Sequence, residues 1–332
     1  MNAMTSTLGK SSKPGAFTWL LKREFWENRG GFFWAPVITG GIFVVLNLIL
    51  AVIGSIAARG EINGGGFSIE EAPEKAYQIV GGIGDGMLLG GVILACVVLA
   101  FVVFFYALGT LYDDRRDRSV LFWKSLPVSD THMVLSKLAW ALLLAPLLAV
   151  GVGILIGLAM WLISALTISI NGLPAGGAVF THSHPLRIIG GVLASLPVYV
   201  FWALPAVGWL MFCSAWSRSK PFLWAVLVPV LACVIISMTD ILPGLEVRHD
   251  LIWYTVVYRG LASVIPGAWF PTLPGGAANP HADFNSPDEL ANAIDLTRSW
   301  HAFATADLWI GAVIGVALIV GAIYLRRWRE SE

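Results

Sequence analysis

Side chains able to do chemistry are scarce in this sequence, and most of them sit together between residues 111 and 137. Arg115, Arg116 and Arg118 alternate with Asp113, Asp114 and Asp117, and Leu121, Phe122 and Trp123 follow at once. The arginines suit pairing with an acidic rim, and the apolar triplet suits a groove. Aromatic residues and arginine are the types enriched where proteins dock most tightly. The chemistry here is recognition rather than bond-making. A basic loop that only sets topology accounts for the arginines but not for the triplet, unless the triplet lies against lipid.

Other constellations are weaker. His182 and His184 stand two apart, but no carboxylate or cysteine follows within a few residues, so no metal site is expected. The run Gly-Gly-Ile-Gly-Asp-Gly at 81–86 has the glycines of a phosphate loop. It lacks the following Lys-Ser/Thr and a preceding strand, and reads as a flexible lead-in to an apolar run. Neither a P-loop nor His-Glu-x-x-His nor Gly-x-Ser-x-Gly occurs. Cys96, Cys213 and Cys233 all lie within apolar runs and read as small buried hydrophobes.

The elements that must position the charged stretch are membrane helices. Of 332 residues, 57% are hydrophobic and 13% charged, where a soluble domain carries about 25% charge. So little charge does not cover a soluble surface of this size, and lipid must replace water around much of it. Net charge is zero, with 21 basic and 21 acidic residues, so nothing global points to nucleic acid. The 35 glycines and 15 tryptophans fit membrane helices and their interfaces.

The chain reads as one all-α transmembrane domain over 1–332. Residues 1–33 show no short apolar core and cleavage site of a secretory signal. Residues 16–29 form a helix with a Phe17, Leu21, Phe25 ridge, and Trp19, Lys22, Arg23 and Trp26 suit a helix lying in the headgroup layer. About 20 apolar residues cross the hydrocarbon, which gives six spans at 33–57, 87–111, 138–168, 186–215, 221–242 and 306–325. Asn47 is a lone polar residue in the first span and predicts an interhelical hydrogen bond. Pro197 and Pro205 predict a kink or break in the fourth. Within 243–304, residues 251–270 are apolar but carry Arg259 centrally, which is costly in a span. They read as one or two short helices that lie on or dip into the outer face, followed by a Pro/Gly/Asn-rich external loop.

Placing the N-terminus inside puts 15 of the 21 Lys and Arg in inside segments, as the positive-inside rule requires. Both termini and the segment 112–137 then face the cytoplasm. In that segment 113–124 forms a short helix, Leu126-Pro127 ends it, and Ser129 or Asp130 caps the next. The spans carry almost no ionisable groups away from their ends, so ion-coupled transport and intramembrane catalysis are disfavoured.

This layout, with the residues Asp113–Ser119, Leu126-Pro-Val-Ser129, Leu135-Ser-Lys137 and the leader Lys22-Arg-Glu-Phe-Trp-Glu27, resembles the ABC-2 type ABC-transporter permeases. The resemblance implies a permease subunit in a bacterial cytoplasmic membrane, paired with a second permease protomer and working as an exporter. It implies a coupling helix that docks a separate ATPase, with ATP and Mg bound in that partner and no cofactor in this chain. Arg115, Arg116, Arg118, Leu121, Phe122 and Trp123 would make the contact, and 16–29 would be the connecting helix. Two rivals are a membrane scaffold without transport, and a lipid-modifying enzyme using His182, His184, His249, Asp250 or His281 at the outer face.

Overall fold

The computed structural model describes residues 14–62, 73–116, 129–170, 177–238, 248–273 and 296–329. Every regular element among them is helical. Helix α1 (Pro14–Arg29) runs through a π turn at Gly30–Trp34 into α2 (Ala35–Ile62). Helix α3 (Pro73–Arg116) comes down to the charged stretch, and α4 (Asp130–Ala139) leaves it. A π turn at Trp140–Leu144 joins α4 to α5 (Ala145–Ile170). Next come the short α6 (Ala178–His182), the long α7 (Pro185–Trp216), a π turn at Leu223–Leu227 and α8 (Val228–Ser237). Helix α9 (His249–Trp253) continues as a π turn to Arg259, followed by 3-10 turns, and α10 (Ala306–Arg329) closes the described chain.

Five helices are long and apolar enough to cross a membrane: Phe17–Ala57, Tyr77–Arg116, Asp130–Ile170, Pro185–Trp216 and Ala306–Trp328. The chain is therefore an all-helical, multi-pass membrane protein. The expected fifth span at 221–242 is present only as a shorter apolar helix, Leu223–Ser237, with its expected end at 239–242 outside the described residues. The sequence also separated 16–29 from the first span. Structurally they are one helical rod, because the Gly30-Gly31 pair lets the backbone take a π turn instead of stopping. Helix α7 likewise stays helical through Pro197 and Pro205.

The stretch 81–86 is helical rather than a flexible lead-in. Its glycines serve close approach. A Cβ on Gly81 would lie 2.4 Å from the carbonyl oxygen of His182, and one on Gly84 would lie 3.0 Å from Trp161 Nε1. The same device makes the two main helix crossings. At α3–α5, a Cβ on Gly91 would lie 2.4 Å from Gly157 N, and one on Gly157 would lie 2.3 Å from Leu88 O. At α7–α10, a Cβ on Gly208 would lie 2.6 Å from Gly315 O. In lipid there is no hydrophobic drive between helices, so association depends on such backbone contact. The core is built on α7, whose Tyr199, Trp202, Leu210 and Met211 are all fully buried. Asn47 does reach across to a neighbour, its Nδ2 lying 3.6 Å from Met87 Sδ on α3.

Several of the exposed tryptophans lie near the two ends of the bundle. Trp26, Trp216, Trp224 and Trp328 lie at the end of the bundle that carries the charged stretch, and Trp253, Trp300 and Trp309 at the other. Trp309 and Trp328 are 19 positions apart on α10, about 29 Å along a helix axis. That matches a hydrocarbon thickness of about 30 Å between two interfacial aromatic belts.

Candidate functional site

The two helices that carry the segment 117–128 are clamped together where they meet it. Ser129 caps α4, its Oγ accepting from the His132 backbone N–H at 3.4 Å. Two turns further, the ammonium of Lys137 is 3% exposed and sits between Glu24 of α1, at 3.0 Å, and Asp114 of α3, at 3.4 Å. It also donates to Thr110 Oγ1 at 2.9 Å. The second Glu24 oxygen accepts from the Tyr106 hydroxyl at 2.8 Å. Arg326, 5% exposed near the end of α10, lies 3.4 Å from Asp114 and 3.7 Å from Asp130. Arg23 completes the ring, 2.7 Å from Glu27 and 3.8 Å from Asp114.

This collar joins four helices, α1, α3, α4 and α10, through alternating charges. Each buried ion loses hydration worth several kcal/mol and recovers it only when its partners are all in place. Such a network is stiff, since moving one helix away strands a charge on another. Its apolar support comes from the predicted ridge on α1. Phe17 meets the His132 ring, Leu21 O accepts from Trp140 Nε1 at 2.7 Å, and Phe25 stacks on Trp140.

The sequence-predicted site residues divide. Arg115 points inward: its guanidinium donates to the carbonyls of Ser214 and Ser217 at the end of α7, and its Nε donates to Leu111 O. Ser214 Oγ in turn accepts from the Leu111 and Tyr112 backbone N–H groups. Arg115 therefore ties α3 to α7. Arg116, one residue on, is exposed. Arg118, Leu121, Phe122 and Trp123 lie outside the described residues. On α1, Trp19 and Trp26 are exposed, with Lys22 Nζ 5.1 Å from the Trp19 ring centroid and Arg29 5.6 Å from that of Trp26. Arg23 turns away from them into the collar.

Sequence reasoning missed Glu24, Thr110, Asp114 and Arg326 as members of one site, and treated Lys137 as the end of a motif. The available signal was the position of these groups at the same end of four different helices. At the opposite end, Arg259, in the segment expected to lie on or dip into the outer face, is buried. Its guanidinium lies 3.8 Å from the Trp202 ring centroid, and it donates to Trp202 O and Asp307 O, each at 3.2 Å. Asp307 also accepts from the Tyr254 hydroxyl at 2.6 Å. A Cβ on Gly311 would lie 2.0 Å from this guanidinium, so the glycine makes the space for it. Burial lowers the basicity of Arg259, and Asp307 opposes that shift. The cation pins 249–259 onto α7 and α10, which removes the cost that a central arginine has in a free span.

His184 takes part in a third polar contact, its backbone N–H donating to Asp85 at 2.7 Å. Among the described residues no group of three or more metal-capable side chains comes together. No known protein family, no curated protein and no solved structure matches the chain.

Proposed function

We propose that this chain is the membrane-spanning permease subunit of an ATP-driven exporter of the ABC-2 type. A separate cytoplasmic ATPase would dock on 117–128, and a second permease protomer would complete the substrate path. Lys137 between Glu24 and Asp114 is the observation that carries the reading. A loop that only sets topology has no need of rigid stems. A loop that receives force does, and here both stems are locked to α1 and α10 by buried charge and to α7 by Arg115. A push on 117–128 would then move the bundle as a body, which is how rigid elements carry a signal between distant sites. The sequence has no P-loop, and on this reading nucleotide chemistry belongs to the partner.

Co-expression with the candidate ATPase tests this. The wild-type chain is expected to co-purify with it and to support ATP hydrolysis. The triple variant L121A/F122A/W123A is expected to lose association while keeping its own thermal stability. Equal association and hydrolysis in the triple variant would remove these residues from the contact. Failure of the wild-type chain to associate with the ATPase would sink the exporter reading.

A further inference from the structure

One face of α1 takes no part in the collar. Leu20 and Glu24 are buried and Phe25 stacks on Trp140, so that side of the helix is turned into the bundle. Trp19, Lys22, Trp26 and Arg29 recur at i, i+3, i+7 and i+10, which is a single helical face, and all four are exposed. We infer that this face is a docking surface for an anionic phospholipid, with the negative headgroup set against Lys22 and Arg29. Three observations lead there.

First, the face presents the two cations that α1 does not use elsewhere. Among the described residues neither Lys22 nor Arg29 meets a carboxylate. The other charged groups of α1 are engaged, Arg23 with Glu27 at 2.7 Å and Glu24 with Lys137 at 3.0 Å. Arg23, which the sequence grouped with Lys22, is withdrawn into the collar. Arg29 takes its place on the exposed face.

Second, each cation is laid on an indole. Lys22 Nζ is 5.1 Å from the Trp19 ring centroid and the Arg29 guanidinium 5.6 Å from that of Trp26. Both side chains reach back three positions toward the helix N-terminus, the direction in which helical side chains lean. They therefore point away from α2 and its lipid-facing surface, as snorkelling cations do. A cation on a ring face keeps N–H donors for phosphate oxygens, and tryptophan itself favours the headgroup level. The face is also ordered before anything binds, because Trp140 and Lys137 hold α1 from behind.

Third, the charged face leads into apolar surface. Phe33, Trp34 and Ile38 are exposed further along the same helical rod. An acyl chain beneath the headgroup meets an apolar wall there, for which a free phosphate ion has no use. The ligand is therefore a lipid.

The test needs neither nucleotide nor ATPase, so its failure and that of the exporter reading are distinguishable. The full-length chain is purified in detergent and equilibrated with mixed micelles holding equal phosphatidylglycerol and phosphatidylcholine. Retained lipid is read by native mass spectrometry. Phosphatidylglycerol is expected to be retained in preference, and inorganic phosphate in the buffer is expected not to displace it. K22Q/R29Q should lower the preference by about fivefold for each charge removed, whereas K22R/R29K should keep it. R218Q/K220Q removes two other exposed cations at the same end of the bundle and should leave most of the preference in place. The proposal is overturned by equal retention of the two lipids in the wild-type chain, by displacement with inorganic phosphate, by loss of the preference in K22R/R29K, or by K22Q/R29Q falling no further than R218Q/K220Q.

Discussion

Lys137 is the residue on which the collar depends, because its ammonium bridges Glu24 and Asp114. Replacing it with Met keeps most of the length of the side chain and removes the charge. Two buried carboxylates then face each other with less compensation, and breaking a buried pair in this way costs about 3–5 kcal/mol. K137M is therefore expected to melt well below the wild type in detergent. E24Q added to K137M should recover part of the loss, since it removes one of the stranded charges, and a double-mutant cycle reads the coupling. A K137M protein with the wild-type melting point would mean that water reaches the collar and screens it. None of this was legible in the sequence. Lys137 and Glu24 are 113 positions apart, and a single charge at the end of a span reads equally well as a partner for a lipid headgroup. The partners of Arg115 and Arg259 were hidden for the same reason. Their partners are mostly backbone carbonyls of α7 and α10, which no residue pattern reveals.

At the scale of elements the sequence was more informative, because crossing a membrane demands a length of apolar chain and that length is visible. Every long helix was legible as a span, although α3 starts earlier than the apolar run does and α1 joins α2 without a stop. What the sequence hid is which glycines are contacts. Gly90 and Gly91 are neighbours on α3 and look alike, yet a Cβ on Gly90 meets nothing within 4 Å and one on Gly91 meets the Gly157 backbone at 2.4 Å. Backbone has no rotamer to yield, so G91A must push α3 and α5 apart. The expected cost is that of overpacking, about 1–3 kcal/mol. G90A should be neutral or slightly stabilising, because alanine loses less conformational freedom than glycine in a helix. Thermal stabilities of the two variants, measured side by side, check this. Equal values would mean that the α3–α5 crossing is looser than its glycines imply.

For the molecule as a whole, the charge count and the folded surface answer different questions. The positive-inside rule acts while the chain inserts, before Lys137 or Arg326 has a partner, so both count toward orientation. After folding they are buried in the collar. Lys22, Arg29, Arg116, Arg218, Lys220 and Arg327 remain exposed at that same end, and they continue to favour the phosphate side of the interface. The charge bias was thus legible in the sequence, although the partners of Arg23, Arg115, Lys137 and Arg326 were not. The tryptophan spacing on α10 suits a helix that crosses completely, and Ser219 and His301 lie at opposite ends of the bundle. Single cysteines at these two exposed positions test that arrangement in intact cells. S219C is expected to react with a membrane-impermeant maleimide only after the membrane is opened, and H301C before. The native cysteines give little background, since Cys213 and Cys233 are buried and Cys96 lies within α3. Labelling of both positions from the same side would mean that α10 does not span the bilayer. External labelling of S219C would put the collar outside the cytoplasm, and the proposed coupling role of 117–128 would fall with it.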